Sequence, residues 1–409
     1  MKSTSAGRRR LVAAGALGLA MATSLAACGG GADSASGSGA FKIGVIVDQS
    51  GPVRTVSAPQ LVGLKAAVRA VNDGGGVDGH KIELVIRDDG SDAAKGVAAF
   101  RELVDKYHVT TVTGFTSSAT IPGVVNFAEQ SKVSMLAAGV PGDLLNPVNP
   151  VVFTTVASIN AQGTAAVDYL KTLVDDGKLP ANPKVAMFHY SSPAGESWKS
   201  AVEPYLKEVG FDLVASETAA VGAPSYSAAV EAIVAAKPDA VLLTAAETDL
   251  INMMKSAQAA GLDPKIPIVN YSFGSGATAL EGVSKLGFTD YVASTPFNSS
   301  GDNAGSKAYV DAIAKAGGNP NQVMVPEGYA QVQMIVDVLE KCGYPCSSDK
   351  FLDIVGDFDS DLGGLAFGPV KYDDKQHFGP TSVAFLGWDD ASSSAKPVKS
   401  GIPLAGPAS

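Results

Sequence analysis

The sequence predicts an α/β fold made of two doubly wound parallel sheets. Three observations lead there. Short β-branched runs alternate with stretches of helical period, the body after Ala40 runs to about 370 residues, more than one hydrophobic core usually holds, and Gly, Asn and Asp clusters punctuate the segments. Strands are expected over 42–47, 81–87, 109–113, 134–137, 184–188, 212–216, 240–244, 266–270 and 382–387. Between the strands, 60–71 lines up Leu61, Leu64, Val68 and Val71 on one helical face, and 196–209 does the same with Val202, Tyr205, Leu206 and Val209. The run Asn72-Asp73-Gly74-Gly75-Gly76 ends the first of these helices, because glycine adopts the left-handed C-cap without strain. Asp92 or Ser91 is the expected cap of a helix over 93–106, and Ser225 that of one over 226–236.

Ahead of this body, Lys2, Arg8, Arg9 and Arg10 precede an apolar run over 11–25 and then Ala26-Ala27-Cys28. A basic stretch, a short apolar stretch and a small-residue site make a secretory signal, expected over 1–27. The apolar run is too short to cross roughly 30 Å of hydrocarbon at about 1.5 Å per residue. Leu25-Ala26-Ala27-Cys28 resembles the lipobox of bacterial lipoproteins, which implies a lipid on Cys28. Residues 28–40 then form a tether of Gly, Ser, Ala and one Asp, with a reach of roughly 20 Å. The remaining pair, Cys342 and Cys346, reads as a disulfide in an exported chain, since C-x₃-C lacks the usual zinc spacing. Removing the signal takes four of 31 cations and none of 41 acids, moving the net charge from −10 to −14. Nucleic acid is disfavoured as a partner.

Enzyme readings find little support. His80, His108, His189 and His377 are scattered, and no G-x-S-x-G elbow occurs. Gly274-Ser-Gly276-Ala-Thr-Ala279 mimics a dinucleotide fingerprint but lacks the acidic ribose-binding residue, and Asp357-Phe-Asp359-Ser-Asp361 reads as a solvated turn because position twelve is Gly368. No cofactor, metal or catalytic residue is expected. A binding constellation remains: the strand over 109–113 runs into Gly114-Phe-Thr-Ser-Ser-Ala-Thr120, and a helix begins near Ile121-Pro122. Ligands of open α/β sheets lie beyond the carboxyl ends of strands, and a helix N-terminus attracts anions. Simple N-capping by Ser117 or Ser118 is the alternative.

Residues 41–388 resemble the type I periplasmic binding proteins, in the branch that binds leucine, isoleucine and valine for ABC transporters. The resemblance rests on Lys42-Ile-Gly-Val with Ser50-Gly-Pro52, on Val71-Asn-Asp-Gly-Gly-Gly-Val-Asp-Gly-His-Lys-Ile-Glu-Leu84 with Asp88-Asp89, and on Gly114-Phe-Thr-Ser-Ser-Ala-Thr120. Ser225-Tyr-Ser227, Lys237-Pro-Asp239, Ala259-Ala-Gly-Leu262 and Gly368-Pro-Val370 add to it. It implies two Rossmann-like lobes joined by a three-segment hinge near Ser158, Ser294 and Asp373. Lobe 1 is then 41–157 with 295–373, lobe 2 is 158–294 with 374–390, and 391–409 is a C-terminal tail. It also implies a monomer that closes on a small molecule and hands it to a permease with its ATPase, on the extracytoplasmic side of the membrane. The alternatives are a ligand sensor working through a partner protein and, third, an exported α/β enzyme.

Carried over residue by residue, Ser117 grips the ligand carboxylate, with Phe115 and Thr116 beside it. Gly139, followed by Val140, offers a backbone carbonyl to the ammonium. This chain departs at Pro141, which stands for a threonine, at Ser272, which stands for the acidic residue facing the ammonium, and at Val56, Ala194 and Ala246, which stand for tyrosines. Glu247 or Asp48 would have to supply the missing charge. Tyr190, Tyr271 and Phe273 are placed to stack on an aromatic or apolar body. The expected cargo is therefore an apolar or aromatic carboxylate, with a branched-chain amino acid as competitor.

Overall fold

The computed structural model describes residues 39–404. The expected signal, Cys28 and all but the last two residues of the tether lie outside the described residues.

The chain first lays down β1 (Ala40–Val47), α1 (Arg54–Asp73), β2 (Lys81–Asp88), α2 (Ala93–Asp105), β3 (Thr111–Gly114), α3 (Ile121–Ser131), β4 (Met135–Ala137) and β5 (Val152–Thr154). These strands form an all-parallel sheet in the order β2-β1-β3-β4-β5, with Ile46 beside Gly114 and Gly114 beside Ala137 at the carboxyl ends. The second lobe begins with α4 (Ile159–Asp175), β6 (Lys184–Tyr190), α5 (Pro193–Glu208), β7 (Asp212–Ala219), α6 (Ser227–Ala235) and β8 (Ala240–Leu243). It continues with α7 (Glu247–Ala259), β9 (Ile268–Asn270), α8 (Ala277–Lys285) and β10 (Tyr291–Thr295). The chain then returns to the first lobe as α9 (Ala304–Lys315), α10 (Val325–Cys342), α11 (Ser348–Val355), β11 (Asp359–Ser360), β12 (Val370–Asp373) and β13 (Gln376–Pro380). Finally β14 (Ser382–Asp389) and β15 (Ser394–Pro403) join the second sheet, whose order is β15-β14-β10-β9-β8-β6-β7.

Every strand-like run of the sequence is a strand. The first sheet is all-parallel as predicted, whereas the second is mixed, β6 to β10 running parallel and β14 and β15 adding an antiparallel edge. On the first sheet α1 and α10 pack together on one side and α2 with α3 on the other. Leu61, Leu64 and Val68 of α1 are buried, as their spacing predicts. In α5 the pattern yields buried Val202 and Leu206, joined by Trp198, which is fully buried.

Local details sharpen the expectations. Asp92, not Ser91, caps α2, accepting from the Lys95 N–H at 2.8 Å. Ser225 is not a helix cap: its Oγ accepts from the Ser227 N–H at 3.2 Å in a tight turn, and α6 starts after Tyr226 without a side-chain cap. α1 starts at Arg54, a turn and a half before the predicted face, and carries Pro59 in its interior. Gly75, at φ 109°, is the left-handed residue that stops α1.

Two boundaries differ from expectation. The third crossing lies at Thr381 rather than Asp373, because β13 pairs with β12 and packs on β5 of the first lobe before β14 enters the second sheet. Residues 391–409 are not a simple tail: β15 pairs antiparallel with β14 and edges the second sheet. Its Lys396, Pro397 and Lys399 are what an exposed edge strand carries to resist further pairing, which is why the segment reads as a tail.

Cys342 and Cys346 are joined by a disulfide at the end of α10. The turn it closes presents Tyr344 to His80, stacked at 3.7 Å, and to Phe41 at the start of β1. The Thr110 hydroxyl donates to the Cys346 carbonyl at 3.2 Å. The closed loop is short, so replacing both cysteines with serine is expected to lower stability by only about 2 kcal/mol, read from the urea midpoint.

Candidate functional site

The carboxyl ends of the parallel strands of both lobes point into one cleft. From the first lobe, Thr116, Ser117, Ser118 and Ala119 follow β3, Gly139 follows β4, Ser91 follows β2, and Pro52, Val53 and Val56 come from the entry to α1. From the second, Tyr190 ends β6, Ala246 follows β8, and Tyr271 and Phe273 follow β9, with Ile159, Ser192, Ala194 and Val221 completing the wall. The cleft holds a volume of about 180 Å³, and no charged residue lines it. Wider furrows of 430 and 630 Å³ lie on the second lobe alone, among helix ends and loops, and neither is walled by both lobes.

One wall is polar. After β3 the backbone turns through two left-handed residues, Gly114 (φ 101°) and Phe115 (φ 49°). A Cβ on residue 114 would lie 2.3 Å from the Ile46 carbonyl, so only glycine fits there. Among the described residues, no backbone carbonyl accepts from the N–H groups of Thr116 to Ala119. Ser117 and Ser118 do not cap α3, whose N-cap is Thr120, its hydroxyl donating back to the Ser117 carbonyl at 3.1 Å rather than accepting from the helix. Ser117 and Ser118 line the cleft, and the N–H groups of Thr116 to Ala119 are left without a backbone acceptor beside a helix N-terminus, an arrangement suited to an anion.

The opposite wall is aromatic. Tyr271 and Phe273 pack at 5.0 Å, with Trp198 behind Tyr271. Tyr190 is clamped: its hydroxyl donates to Asp249 at 2.7 Å and accepts from the Ala246 N–H at 2.9 Å. Burial pushes the Tyr190 and Tyr271 phenols well above their usual range, so both are neutral at any physiological pH.

Six of the ten residues proposed from sequence meet here: Thr116, Ser117, Gly139, Tyr190, Tyr271 and Phe273. Four do not. Phe115 is fully buried against Phe100, because its left-handed backbone turns the ring into the first lobe's core while its carbonyl accepts from the Gly139 N–H at 2.9 Å. Val140 joins the same core. Ser272 is buried behind the wall, its N–H donating to Gln162 at 2.9 Å. Glu247 lies outside the cleft wall, beside Gly276 at the start of α8, and burial raises its pKa. The small residues Val56, Ala194 and Ala246 do line the cleft. Ser91, Ser118 and Ser192 were missed; for Ser118 the adjoining run of hydroxyls was the available signal.

Asp48 does not supply a counter-charge either. It is buried, and its carboxylate accepts from the N–H groups of Ser50 (3.1 Å), Gly51 and Val53 (3.0 Å) and from the Ser91 hydroxyl (2.6 Å). Asp48, Asp88 and Asp89 bring one oxygen each within 4.8 Å of one another. Asp88 accepts from the N–H groups of Gln49 and Gly90, and Asp89 from that of Ser91. These bonds tie the loop after β1 to the loop after β2, a structural use of the carboxylates.

A model of the family described as periplasmic binding protein matches residues 40–394. The chain belongs to that family. It is 26% identical over 390 residues to the Leu/Ile/Val-binding protein homolog 7 of Brucella abortus, covering 90% of this chain and 94% of the relative. Among solved structures it resembles the substrate-binding protein of an ABC transporter from Aeropyrum pernix, with a TM-score of 0.78 at 18% identity over 88% of this chain and 95% of that one. It also resembles a solute-binding protein from R. palustris in complex with benzoate, with a TM-score of 0.75 at 20% identity over 90% and 98%. The α/β architecture with parallel-sheet lobes is the one these structures share. Among the described residues no helix is long and apolar enough to cross a membrane.

Proposed function

We propose that this chain is the extracytoplasmic, lipid-anchored substrate-binding protein of an ABC importer, and that its cargo is a small carboxylate with an apolar, aromatic-sized body. The observation that carries the reading is the composition of the cleft: free N–H and hydroxyl groups on one wall, aromatic rings on the other, and no charged residue between. A carboxylate finds charge-assisted hydrogen bonds on the first wall. Its apolar body finds the rings of Tyr271 and Phe273 on the second. The cavity of 180 Å³ slightly exceeds the roughly 150 Å³ apolar cavity known to accept benzene.

An α-amino acid, named for the Brucella relative, would bury an ammonium opposite uncharged residues. That costs several kcal/mol without a counter-charge. The lobes close on the ligand as a shift between states of differing affinity, with no bond made or broken. The hydroxyls of the cleft wall have no histidine, carboxylate or lysine in that wall to activate them, which favours capture over turnover.

Calorimetric titration of the protein with benzoate, leucine and benzamide tests this reading. Benzoate is expected to bind at least about 100-fold more tightly than leucine, or about 2.7 kcal/mol, and benzamide, lacking the anion, to be weaker than benzoate. Tight leucine binding with no response to benzoate would sink it.

A further inference from the structure

Behind the serine wall, between α1 and α10, lies a chain of buried amides. Gln60 and Gln331 are both fully buried. The Gln60 Nε2 donates to the Gly114 carbonyl at 3.3 Å and to the Gln331 Oε1 at 3.0 Å. Its Oε1 accepts from the Thr116 hydroxyl. Gln331 in turn donates to the Thr155 hydroxyl at 2.8 Å, which donates to the Ala137 carbonyl at 3.2 Å. One carboxamide thus holds the chain on either side of Phe115, at the residue before it and the residue after it.

Phe115 is the strained point of the turn after β3. A non-glycine residue in the left-handed region persists only where its surroundings over-determine it. Two hydrogen bonds from the body of the sheet help: the Phe115 N–H donates to the Ile46 carbonyl at 2.7 Å, and its carbonyl accepts from Gly139. Neither reaches Thr116, whose orientation decides where the following N–H groups and serine hydroxyls point. Gln60 does, and it does not itself line the cleft.

We propose that Gln60 is a positioning residue for ligand capture: its carboxamide brackets the left-handed turn at Phe115 and so presents the anion-binding groups of Thr116 to Ala119 to the cleft. This rests on the reading of the cleft given above. Its local part, control of the turn, is testable without ligand. The sequence gives no reason to single the residue out, since a glutamine on the apolar face of α1 finds its partner 271 residues away.

The test uses Gln60→Met, which keeps volume and removes the bonds, with Gln331→Met as a control that spares the Gly114 and Thr116 bonds. In ligand-free protein, Gln60→Met is expected to speed amide exchange at Phe115 and Gly139 about tenfold. Val112, bonded to the Ser134 carbonyl in the same sheet, should keep its rate. Benzoate affinity should fall at least about tenfold in Gln60→Met and stay within about threefold in Gln331→Met. Unchanged exchange at Phe115 and Gly139, or equal acceleration at Val112, overturns the proposal. If Gln60→Met does not fold, Thr116→Val breaks the same bond from the cleft side, and unchanged Gly139 exchange there overturns it too. Failure of the unmodified protein to bind benzoate counts against the cargo assigned above, while the exchange measurements still decide the role of Gln60.

Discussion

Replacing Gly139 with valine is expected to abolish ligand capture while leaving the protein folded. A Cβ at this position would lie 2.5 Å from the Thr116 carbonyl oxygen and 3.3 Å from the Ser118 nitrogen. The turn after β3 must therefore move away from the turn after β4, taking with it the N–H groups and hydroxyls that face the cleft. Affinity for benzoate should fall by at least about 100-fold, equivalent to about 2.7 kcal/mol. Overpacking of this kind typically costs about 1–3 kcal/mol of stability, less than a domain of this size holds. Calorimetry and urea unfolding on one preparation separate the two effects. Benzoate binding within about tenfold of the unmodified protein would show that Gly139 is not part of the ligand site.

The second large effect is on stability, and it depends on pH. Glu327, in the first turn of α10, is 1% exposed, and neither carboxyl oxygen has a hydrogen-bond partner. Burial pushes its pKa up to about 7, against a smaller opposing pull from its own N–H and that of Met324. Tyr309 of α9 is the titratable side chain whose field is coupled to it, and that phenol is buried and neutral. The unfolded chain ionises this carboxyl near 4.5, the folded protein only near 7. The folded state therefore binds the extra proton between those values, so stability is greatest below 4.5 and is lost as pH rises through about 7. Glu327→Gln cannot titrate. The stability of the unmodified protein relative to this variant is expected to decline by roughly 2–3 kcal/mol from pH 5 to pH 8, with contributions from other groups cancelling in the difference. Urea midpoints at the two pH values check it. A difference that does not change with pH would mean that Glu327 is ionised in the folded protein.

What was legible in the sequence follows from what is local. The nine predicted strands carry β-branched runs bounded by turn residues, and a strand of that kind announces itself. β5 and β10 did not: the first is three residues long, and the second, Tyr291–Thr295, lies among Ala, Ser and Thr that also suit a loop. β15 was hidden by the lysines and prolines that protect an edge. At the site, hydroxyls after a strand and before a helix were enough to place Thr116 and Ser117, and aromatic residues at strand ends placed Tyr190, Tyr271 and Phe273.

The residues misassigned at the site share a physical cause. Adjacent positions on a chain need not face the same way, and where the backbone turns left-handed, as at Phe115, the side chain leaves the direction its neighbours take. Val140 and Ser272 likewise follow site residues in sequence and point into the core or behind the wall. The sequence by itself determined the α/β alternation, the existence of the two large sheets though not of the small one formed by β11, β12 and β13, and the uncharged character of the residues that replace the family's tyrosines and acid. Only the tertiary structure decided which of those residues share the cleft, and that Gln60 stands behind it. Both depend on contacts between segments distant in the chain, from 54 residues for Gln60 and Gly114 to 271 for Gln60 and Gln331, whose pairing no local period records.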